Sequence, residues 1–524
     1  MHFRYEKVAL FGIIFFILTY FWIGFQSNDD LEPSIKRVDC LIEGTKKISC
    51  LKEEFEVYFP FKFIRKQFDV NGKWTSEDRF EYFTSYSKSK RPDIKNYSNF
   101  GVFGNFGSYN VEKRERVRCI EGSLQVPMST QWQETPYFYP IQIAQFGLQH
   151  YSKLQTDPHA SKHTISDVQT NSAKTIRNGT TFVTIDDLSQ HFSLDLKSHS
   201  DLTVISFEWN PLSDDSFFSV ELQSSEDVLI TINYVTKTDA RCLWEHEGKY
   251  YQSLNRGGKM FVLRDFAVDA SKVMALKSNK KDGRGRSEQF KVLSIRFNGI
   301  LEITMPIYQQ SSDHKQMFLN SADWLLKNQR ENGAWAVPVK RIIDKKLFLP
   351  AFWPSAMAQG HGISVLIRAY HLTNNEAYLH AARKALKPFE LAPKDGGVRN
   401  VVLGVPWYEE YPTTPPTVVL NGFIYSLIGL YDLAIVENGT ARNLFQEGLH
   451  SLKTLLPLYD TGSGSVYDLR HLFLKTPPNL ARWDYHKVHV YLLKWLHAMT
   501  KETIYDDYTE RWLQYSMGQR AKHN

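Results

Sequence analysis

Seven segments with helical periodicity, all C-terminal to residue 311, constrain the fold of this chain most. Apolar residues recur in them three and four positions apart, the pattern of a helix with one buried face. In 417–436 the apolar stripe includes Val419, Phe423 and Leu427, and Thr417, which follows two prolines, is the predicted N-cap. Consecutive helices predict an α/α toroid over 311–524, in which helix ends surround a groove. The segments are 313–329, 355–373, 376–390, 417–436, 442–457, 483–499 and 502–517.

The chain that precedes these helices has the pattern of β-structure, so the fold class is a multidomain α+β protein. Polar turns separate strand-like runs in 156–310, which predicts a β-sandwich or barrel. Residues 39–155 hold short runs such as 55–59, many tyrosines and the turn signal Asn71-Gly72, which predict an N-terminal domain of β-hairpins and loops. The runs expected to form the sandwich include 181–185, 202–209, 217–222, 228–234 and 291–297.

The N-terminus predicts the compartment. Residues 8–25 carry no charge and are long enough to cross a bilayer core. Arg4 and Lys7 precede the run, and the positive-inside bias places 1–7 in the cytoplasm and the remainder in the lumen, after a stem over 26–38. A cleaved signal peptide is the alternative, but the run ends in bulky residues with no small-residue cleavage site.

Cysteines and glycosylation sequons fit a lumenal chain. One or two disulfides are possible in an oxidising lumen, and their pairing stays open. No CxxC or Cys/His spacing suggests zinc. The cysteines are Cys40, Cys50, Cys119 and Cys242, and the predicted glycan acceptors are Asn96, Asn178 and Asn438.

The charge is mild overall and uneven along the chain. Sixty-three basic and 57 acidic residues give a formal net charge of +6. Basic residues concentrate in 111–118 and 272–286, which indicates either a polyanionic partner or a solvated face. Nucleic acid does not fit a lumenal compartment.

Three polar segments near the C-terminus, 408–415, 460–470 and 479–486, combine carboxylates, tyrosines and arginines. They lie before or between the predicted helices, where the rim of a toroid would be. The combination suits proton transfer beside a bound anion. The alternative is structural, because tyrosines at helix ends commonly pack with a satisfied hydroxyl, and Asp468 and Arg470 could pair with each other.

Taken together, these motifs resemble the D-glucuronyl C5-epimerases of heparan sulfate and heparin biosynthesis. The resemblance is dense over 353–524 and returns at 78–88 and 107–153. It implies conversion of D-glucuronate to L-iduronate within N-sulfated heparosan, by removal and replacement of the C5 proton. The motifs are 353–360, 420–423, 458–470, 520–524, Tyr408-Glu409-Glu410-Tyr411-Pro412-Thr413-Thr414-Pro415 and Asn479-Leu480-Ala481-Arg482-Trp483-Asp484-Tyr485-His486.

The resemblance also implies the site residues. Glu410 and Tyr485 are expected on opposite faces of C5, with Tyr411 and Tyr467 as supporting acid/base or hydrogen-bond partners. Arg470 is expected to pair with the substrate carboxylate. The other implied substrate contacts are Lys88, Tyr109, Asn421, Tyr425, Asn479, Arg482 and Trp483.

Further expectations follow from the same resemblance. They are a type II protein of the Golgi membrane, a homodimer, and a structural calcium to which this sequence contributes only Glu302 as an acidic ligand. No Gly-rich dinucleotide fingerprint appears, so no nicotinamide is expected. The rival functions are a polyuronate lyase, which shares C5 proton abstraction, and a non-catalytic membrane glycoprotein that binds glycosaminoglycans.

Overall fold

The computed structural model describes residues 35–42, 44, 46–68, 70–75, 78–84, 94–166, 172–187, 191–254, 258–277, 289–344 and 347–522. The predicted cytoplasmic tail and anchor, and most of the stem, lie outside these residues. Within them, no helix has the length and apolar character needed to span a bilayer. The chain divides into two compact units, 1–88 and 89–524.

The first unit is a small β-structure. Strands β1, β2 and β3 pair antiparallel in that order, and β4 pairs with β5. The turn predicted at Asn71-Gly72 is wrong, because both residues lie inside β4. Gly72 is needed there for space, since a Cβ would meet the rings of Phe61 and Phe80. The elements are β1 (Lys36–Ile42), β2 (Lys46–Glu53), β3 (Glu56–Tyr58), α1 (Phe61–Phe68), β4 (Val70–Trp74) and β5 (Phe80–Thr84).

The second unit begins with a segment that the hairpin prediction described incompletely. A three-stranded sheet of β6 (Val117–Ile120), β7 (Pro127–Ser129) and β8 (Tyr137–Phe138) leads into helix α2 (Pro140–Thr156). The sequence prediction of hairpins and loops through residue 155 missed α2. This helix is buried on most sides, so its apolar residues show no clear one-faced periodicity.

The predicted β-sandwich is confirmed as two six-stranded sheets; a closed barrel is not seen in the described residues. One sheet has the order β10-β11-β20-β13-β18 with β9 beside β20, and the other has the order β12-β19-β14-β15-β17-β16. Alternate residues of each sheet point into one shared apolar core. The elements are β9 (Lys162–Ile165), β10 (Ala173–Arg177), β11 (Thr180–Ile185), β12 (His191–Asp195), β13 (Val204–Pro211), β14 (Phe217–Ser224), β15 (Leu229–Val235), β16 (Leu243–His246), β17 (Lys249–Ser253), β18 (Met260–Asp265), α3 (Phe266–Lys277), β19 (Phe290–Asn298) and β20 (Leu301–Gln310).

One disulfide, Cys119–Cys242, joins β6 to the loop before β16 and closes a loop with a sequence separation of 123. It therefore ties the segment before α2 to the sandwich. Cys40 and Cys50 are unpaired thiols in the first unit.

All seven predicted helical segments are helical in the C-terminal region. Segment 376–390 is broken into two helices, and the helix predicted from 417 begins at Leu420 with Val419 as N-cap, so the prediction of Thr417 as N-cap is wrong. The helices are α4 (His314–Asn328), α5 (Ala356–Thr373), α6 (Glu376–Lys384), α7 (Lys387–Glu390), α8 (Leu420–Val436), α9 (Thr440–Leu455), α10 (His471–Leu474), α11 (Trp483–Thr500) and α12 (Thr503–Ser516).

Short strands lie in the connections between these helices and carry site residues. They are β21 (Arg341–Asp344), β22 (Leu347–Leu349), β23 (Arg399–Val402), β24 (Val405–Tyr408), β25 (Val466–Asp468) and β26 (Asn479–Leu480), paired as β21–β22, β23–β24 and β25–β26.

Helices α5 and α8 form the centre of this region. They approach closely at two glycines, because a Cβ on Gly429 would lie 2.2 Å from the Gly360 carbonyl oxygen. A fully buried ion pair joins Arg368 on α5 to Asp432 on α8 at 2.7 Å, and the Tyr97 hydroxyl donates to the same carboxylate. These contacts hold α8, whose first turn reaches the site, in one position.

Candidate active site

The structure brings together the four residues predicted to transfer protons. Glu410 and Tyr411 follow β24, Tyr467 lies in β25, and Tyr485 lies in the first turn of α11. The Tyr411 phenol lies beside the Glu410 carboxyl and the Tyr467 phenol, close enough to lower the pKa of both groups. The ring of Tyr467 packs edge-on against Tyr485, with centroids 4.8 Å apart. Three segments that are distant in sequence therefore form one acid/base cluster.

Glu410 is suited to act as a base near neutral pH. Its side chain is 4% exposed, and its Oε2 has no hydrogen-bond partner among the described residues. Burial raises the pKa of Glu410 to about 7 because an ionised carboxylate is poorly solvated there. The carboxyl packs against the first turn of α8 at Gly422, where a Cβ would lie 2.4 Å from Oε2. Glycine at that position therefore makes the room that Glu410 occupies.

The three tyrosines are suited to donate protons or hydrogen bonds. Burial raises the pKa of Tyr411 and Tyr467 well above 10, and the nearby Glu410 carboxylate raises them further. The pKa of Tyr485 is raised by the same two causes. All three phenols are therefore protonated at neutral pH, beside a carboxyl that is close to half ionised.

Arg341 is a site residue that sequence reasoning missed. Its guanidinium lies 5.7 Å from the ring centre of Tyr411 and 4.8 Å from that of Trp132. Its positive charge opposes the rise in the pKa of Glu410 and of Tyr411. Its Nε is buried without a hydrogen-bond partner in the described structure. Nothing in the sequence around β21 separates this arginine from other surface arginines, since only the fold brings it to the cluster.

Two further aromatic residues border Tyr411 and the cluster. Trp353 packs against Tyr411 with ring centroids 5.6 Å apart. The buried Tyr139 lies near enough to Glu410 and Tyr485 for their charges to raise its pKa, while Arg341 lowers it. Both residues, like Trp132, lie in motifs on which the family resemblance rests. The resemblance could therefore have identified them as site residues.

Asp468 organises two of the predicted substrate contacts. Asn479 Nδ2 donates to its Oδ2 at 2.7 Å, and the Arg470 backbone N–H donates to its Oδ1 at 3.2 Å. The Arg470 Nε lies 3.5 Å from the same carboxylate, and its Nη1 is 3.5 Å from the Ile343 carbonyl oxygen. The guanidinium of Arg470 is therefore held beside β21, the strand of Arg341.

A second group of predicted contacts lies along α8. Asn421 and Tyr425 are four residues apart and share a helix face. Asn421 Oδ1 is buried without a partner in the described structure. The phenols of Tyr425 and Tyr109 lie near enough for each to shift the pKa of the other, and the Arg114 guanidinium lies 5.4 Å from the Tyr109 ring. Arg114 belongs to the basic run 111–118, which was noted without a role for any single residue.

The structure says less about the remaining predicted substrate contacts. Arg482 is mostly exposed and donates to Asp484 at 3.2 Å. Trp483 is the first residue of α11, but the position of its side chain lies outside the described structure, as does all of Lys88.

Glu302, the predicted calcium ligand, lies beside a cation in this structure. Its carboxylate forms an ion pair with Arg177 at 3.0 Å. Among the described residues, no group of three or more His, Cys, Asp or Glu side chains could hold a metal ion. The three predicted glycan acceptors, Asn96, Asn178 and Asn438, are all exposed.

A buried carboxyl that titrates near neutrality, protonated phenols and nearby guanidinium groups suit an enzyme that moves a proton next to an anionic group. Comparison with known proteins agrees. The model for the D-glucuronyl C5-epimerase C-terminus matches residues 328–514, and the model for the D-glucuronyl C5-epimerase β-sandwich domain matches residues 177–300.

Two curated relatives show how far the likeness extends. A D-glucuronyl C5-epimerase of Caenorhabditis elegans is 41% identical over 551 aligned positions, which cover 93% of this chain and 89% of that protein. An uncharacterized protein of Methanocaldococcus jannaschii is 33% identical over 166 residues, covering 30% of this chain and 51% of that protein. The chain belongs to the D-glucuronyl C5-epimerase family.

Proposed function

We propose that the protein converts D-glucuronate to L-iduronate residues within N-sulfated heparosan, by removing the C5 proton and returning one on the opposite face. The observation that carries the proposal is the contact of buried Glu410 with Tyr411, and through it with Tyr467 and Tyr485. A C5–H lies next to a carboxylate, so its removal leaves an enediolate with two negative charges. Donors and cations placed in advance stabilise such an intermediate.

The directions of the pKa shifts indicate which group accepts the C5 proton and which groups donate. Glu410, with a pKa of about 7, is the group able to accept the C5 proton at neutral pH. Tyr485 is protonated there because burial and the Glu410 charge raise its pKa, so it is the group able to deliver a proton to the other face. Tyr467, whose phenol lies beside that of Tyr411, donates to the developing charge.

After one turnover in this direction Glu410 holds the abstracted proton and Tyr485 has lost one. Proton exchange of both groups with water resets the site, and in D₂O this exchange supplies the deuterium that Tyr485 delivers to C5.

Cations around the cluster suit an anionic substrate. Arg341, whose Nε is buried and unpaired in the described structure, lies in β21, and the Arg470 guanidinium approaches the Ile343 carbonyl oxygen of the same strand. We assign them to the uronate carboxylate, because a guanidinium binds a carboxylate bidentately. The other contacts, which position the polymer, stay predictions: Lys88, Tyr109, Asn421, Tyr425, Asn479, Arg482 and Trp483.

The decisive experiment incubates the purified protein with N-sulfated heparosan in D₂O and follows C5 by NMR. Deuterium at C5 of both glucuronate and iduronate supports the proposal. An unsaturated, ultraviolet-absorbing chain end would show the lyase instead, because a lyase expels the C4 substituent after the same abstraction. Binding without exchange would show the non-catalytic glycoprotein.

The compartment and assembly are part of the same proposal. The uncharged run 8–25 anchors a type II protein in the Golgi membrane, the exposed Asn96, Asn178 and Asn438 carry glycans, and the paired helices form an α/α toroid. Recovery of the chain with membranes tests the anchor, and glycosidase sensitivity tests the glycans. A homodimer and a structural calcium ion stay predictions, tested by light scattering and by metal analysis of the purified protein.

A further inference from the structure

Val418, which lies between the loop of Glu410 and helix α8, has a strained backbone. Its φ is +58°, in the left-handed region that a β-branched residue rarely adopts because its side chain crowds the backbone. The residue is fully buried. Strain of this kind persists only where the surroundings hold it, and it concentrates at functional sites.

Hydrogen bonds on both sides of Val418 hold it in this conformation. Its N–H donates to the Glu409 carboxylate at 3.0 Å, and Thr417 Oγ1 donates to the same oxygen at 2.9 Å. Its carbonyl oxygen accepts from the Tyr459 hydroxyl at 2.7 Å and from the Leu469 N–H at 3.3 Å. Thr417, which the sequence predicted as the N-cap of α8, binds the Glu409 carboxylate instead.

These contacts join the two segments that carry the acid/base groups. Glu409 directly precedes Glu410, and Leu469 lies two residues beyond Tyr467. Val419 forms a β-bridge with Asp468, so Val418 and Val419 fasten the β25 segment along two successive residues. The backbone at Val418 is therefore the link between the Glu410 loop and the tyrosine strand.

We propose that Glu409 is a positioning residue for the epimerisation, which holds Val418 in its strained conformation and thereby sets the placement of Glu410 relative to Tyr467. The inference rests on the proposed catalytic roles of those two residues. Glu409 is fully buried, and its carboxyl accepts hydrogen bonds from Thr417, Val418 and Asn400. The alternative is that Glu409 only satisfies buried donors, in which case it supports folding and not turnover.

The test uses isosteric variants, because even a small misplacement of the reacting groups strongly lowers the reaction rate. Glu409→Gln keeps the shape but loses one acceptor, and Thr417→Val removes the hydroxyl while Thr417→Ser keeps it. We expect kcat for N-sulfated heparosan to fall about tenfold to a hundredfold in Glu409→Gln, and less in Thr417→Val, with KM within about twofold. Thr417→Ser should stay within about threefold of wild type.

A second variant separates positioning from folding. Glycine adopts positive φ without strain, so adding Val418→Gly to Glu409→Gln should recover part of the lost kcat, although it removes buried side-chain volume. Wild-type kcat in both Glu409→Gln and Thr417→Val would overturn the proposal. So would a loss of kcat that follows the melting temperature and is not recovered by glycine.

The proposed function fails separately from this inference. If Glu410→Gln still epimerises, the assignment of the base is wrong whatever Glu409 does. If Glu410→Gln is inactive while both positioning variants turn over normally, only the role of Glu409 is lost.

Discussion

Replacing Glu410 with glutamine should abolish epimerisation and, at the same time, stabilise the fold at alkaline pH. The reason is the burial of Glu410, which opposes its ionised form. Glutamine has nearly the same shape, but it has no charge at any pH. The variant therefore removes the cost of holding a carboxylate in this position and leaves the packing against Gly422 in place.

The size of the effect follows from the pKa of Glu410. A rise from 4.5 to about 7 corresponds to about 3 kcal/mol, at about 1.4 kcal/mol for each pH unit. Because the folded-state pKa is raised, the protonated carboxyl favours the folded state fully below pH 4.5, and this contribution is lost as pH rises through about 7. The stability of Glu410→Gln relative to wild type should therefore increase by most of this amount between about pH 5 and about pH 8.

Urea unfolding of both proteins at the two pH values measures this difference. Glu409, whose pKa burial raises to about 8, titrates in both proteins and cancels in the comparison. Epimerisation is followed in D₂O on the same preparations. If the stability difference between the two proteins is the same at both pH values, Glu410 is not desolvated and the argument for a base near neutrality is refuted.

Three further predictions concern a phenol, a disulfide and a helix contact. Tyr485→Phe should lower kcat by about two orders of magnitude in the NMR assay, while Tyr431→Phe, whose ring packs against Phe445, should turn over normally; equal rates would remove Tyr485 from the chemistry. Cys119→Ser with Cys242→Ser opens a loop of sequence separation 123 and should lower the free energy of unfolding by about 4 kcal/mol; an unchanged urea midpoint would contradict this. Gly429→Ala places a Cβ 2.2 Å from a carbonyl oxygen of the facing helix and should cost about 1–3 kcal/mol, seen as a lower melting temperature; wild-type melting would show that the two helices can separate without loss.

Much of the fold could be predicted from periodicity, because the pattern of apolar residues is local. Segment 417–436 and β14 (Phe217–Ser224) are found where their helical and alternating patterns place them. Helix α2 was missed because it is buried on most sides and so lacks a polar face. The turn at Asn71-Gly72 was wrong because the glycine makes room for two phenylalanine rings, a requirement that only packing reveals.

The residues of the candidate site also fall into those that the sequence predicted and those that it missed. Glu410, Tyr411, Tyr467 and Tyr485 were predicted from motifs, and the structure brings them together. Arg341 was not, because its place beside Tyr411 depends on a hairpin whose sequence is unremarkable.

By itself, the sequence determined the helical and β regions, the uncharged N-terminal run and the residues that could move a proton, since each is read from neighbouring positions along the chain. Only the tertiary structure decided which of those residues meet, that Glu410 titrates near neutrality, and that Thr417 binds Glu409 instead of capping a helix. Burial and hydrogen bonding depend on groups brought together from distant segments, and it is burial that sets the pKa of a carboxyl or a phenol.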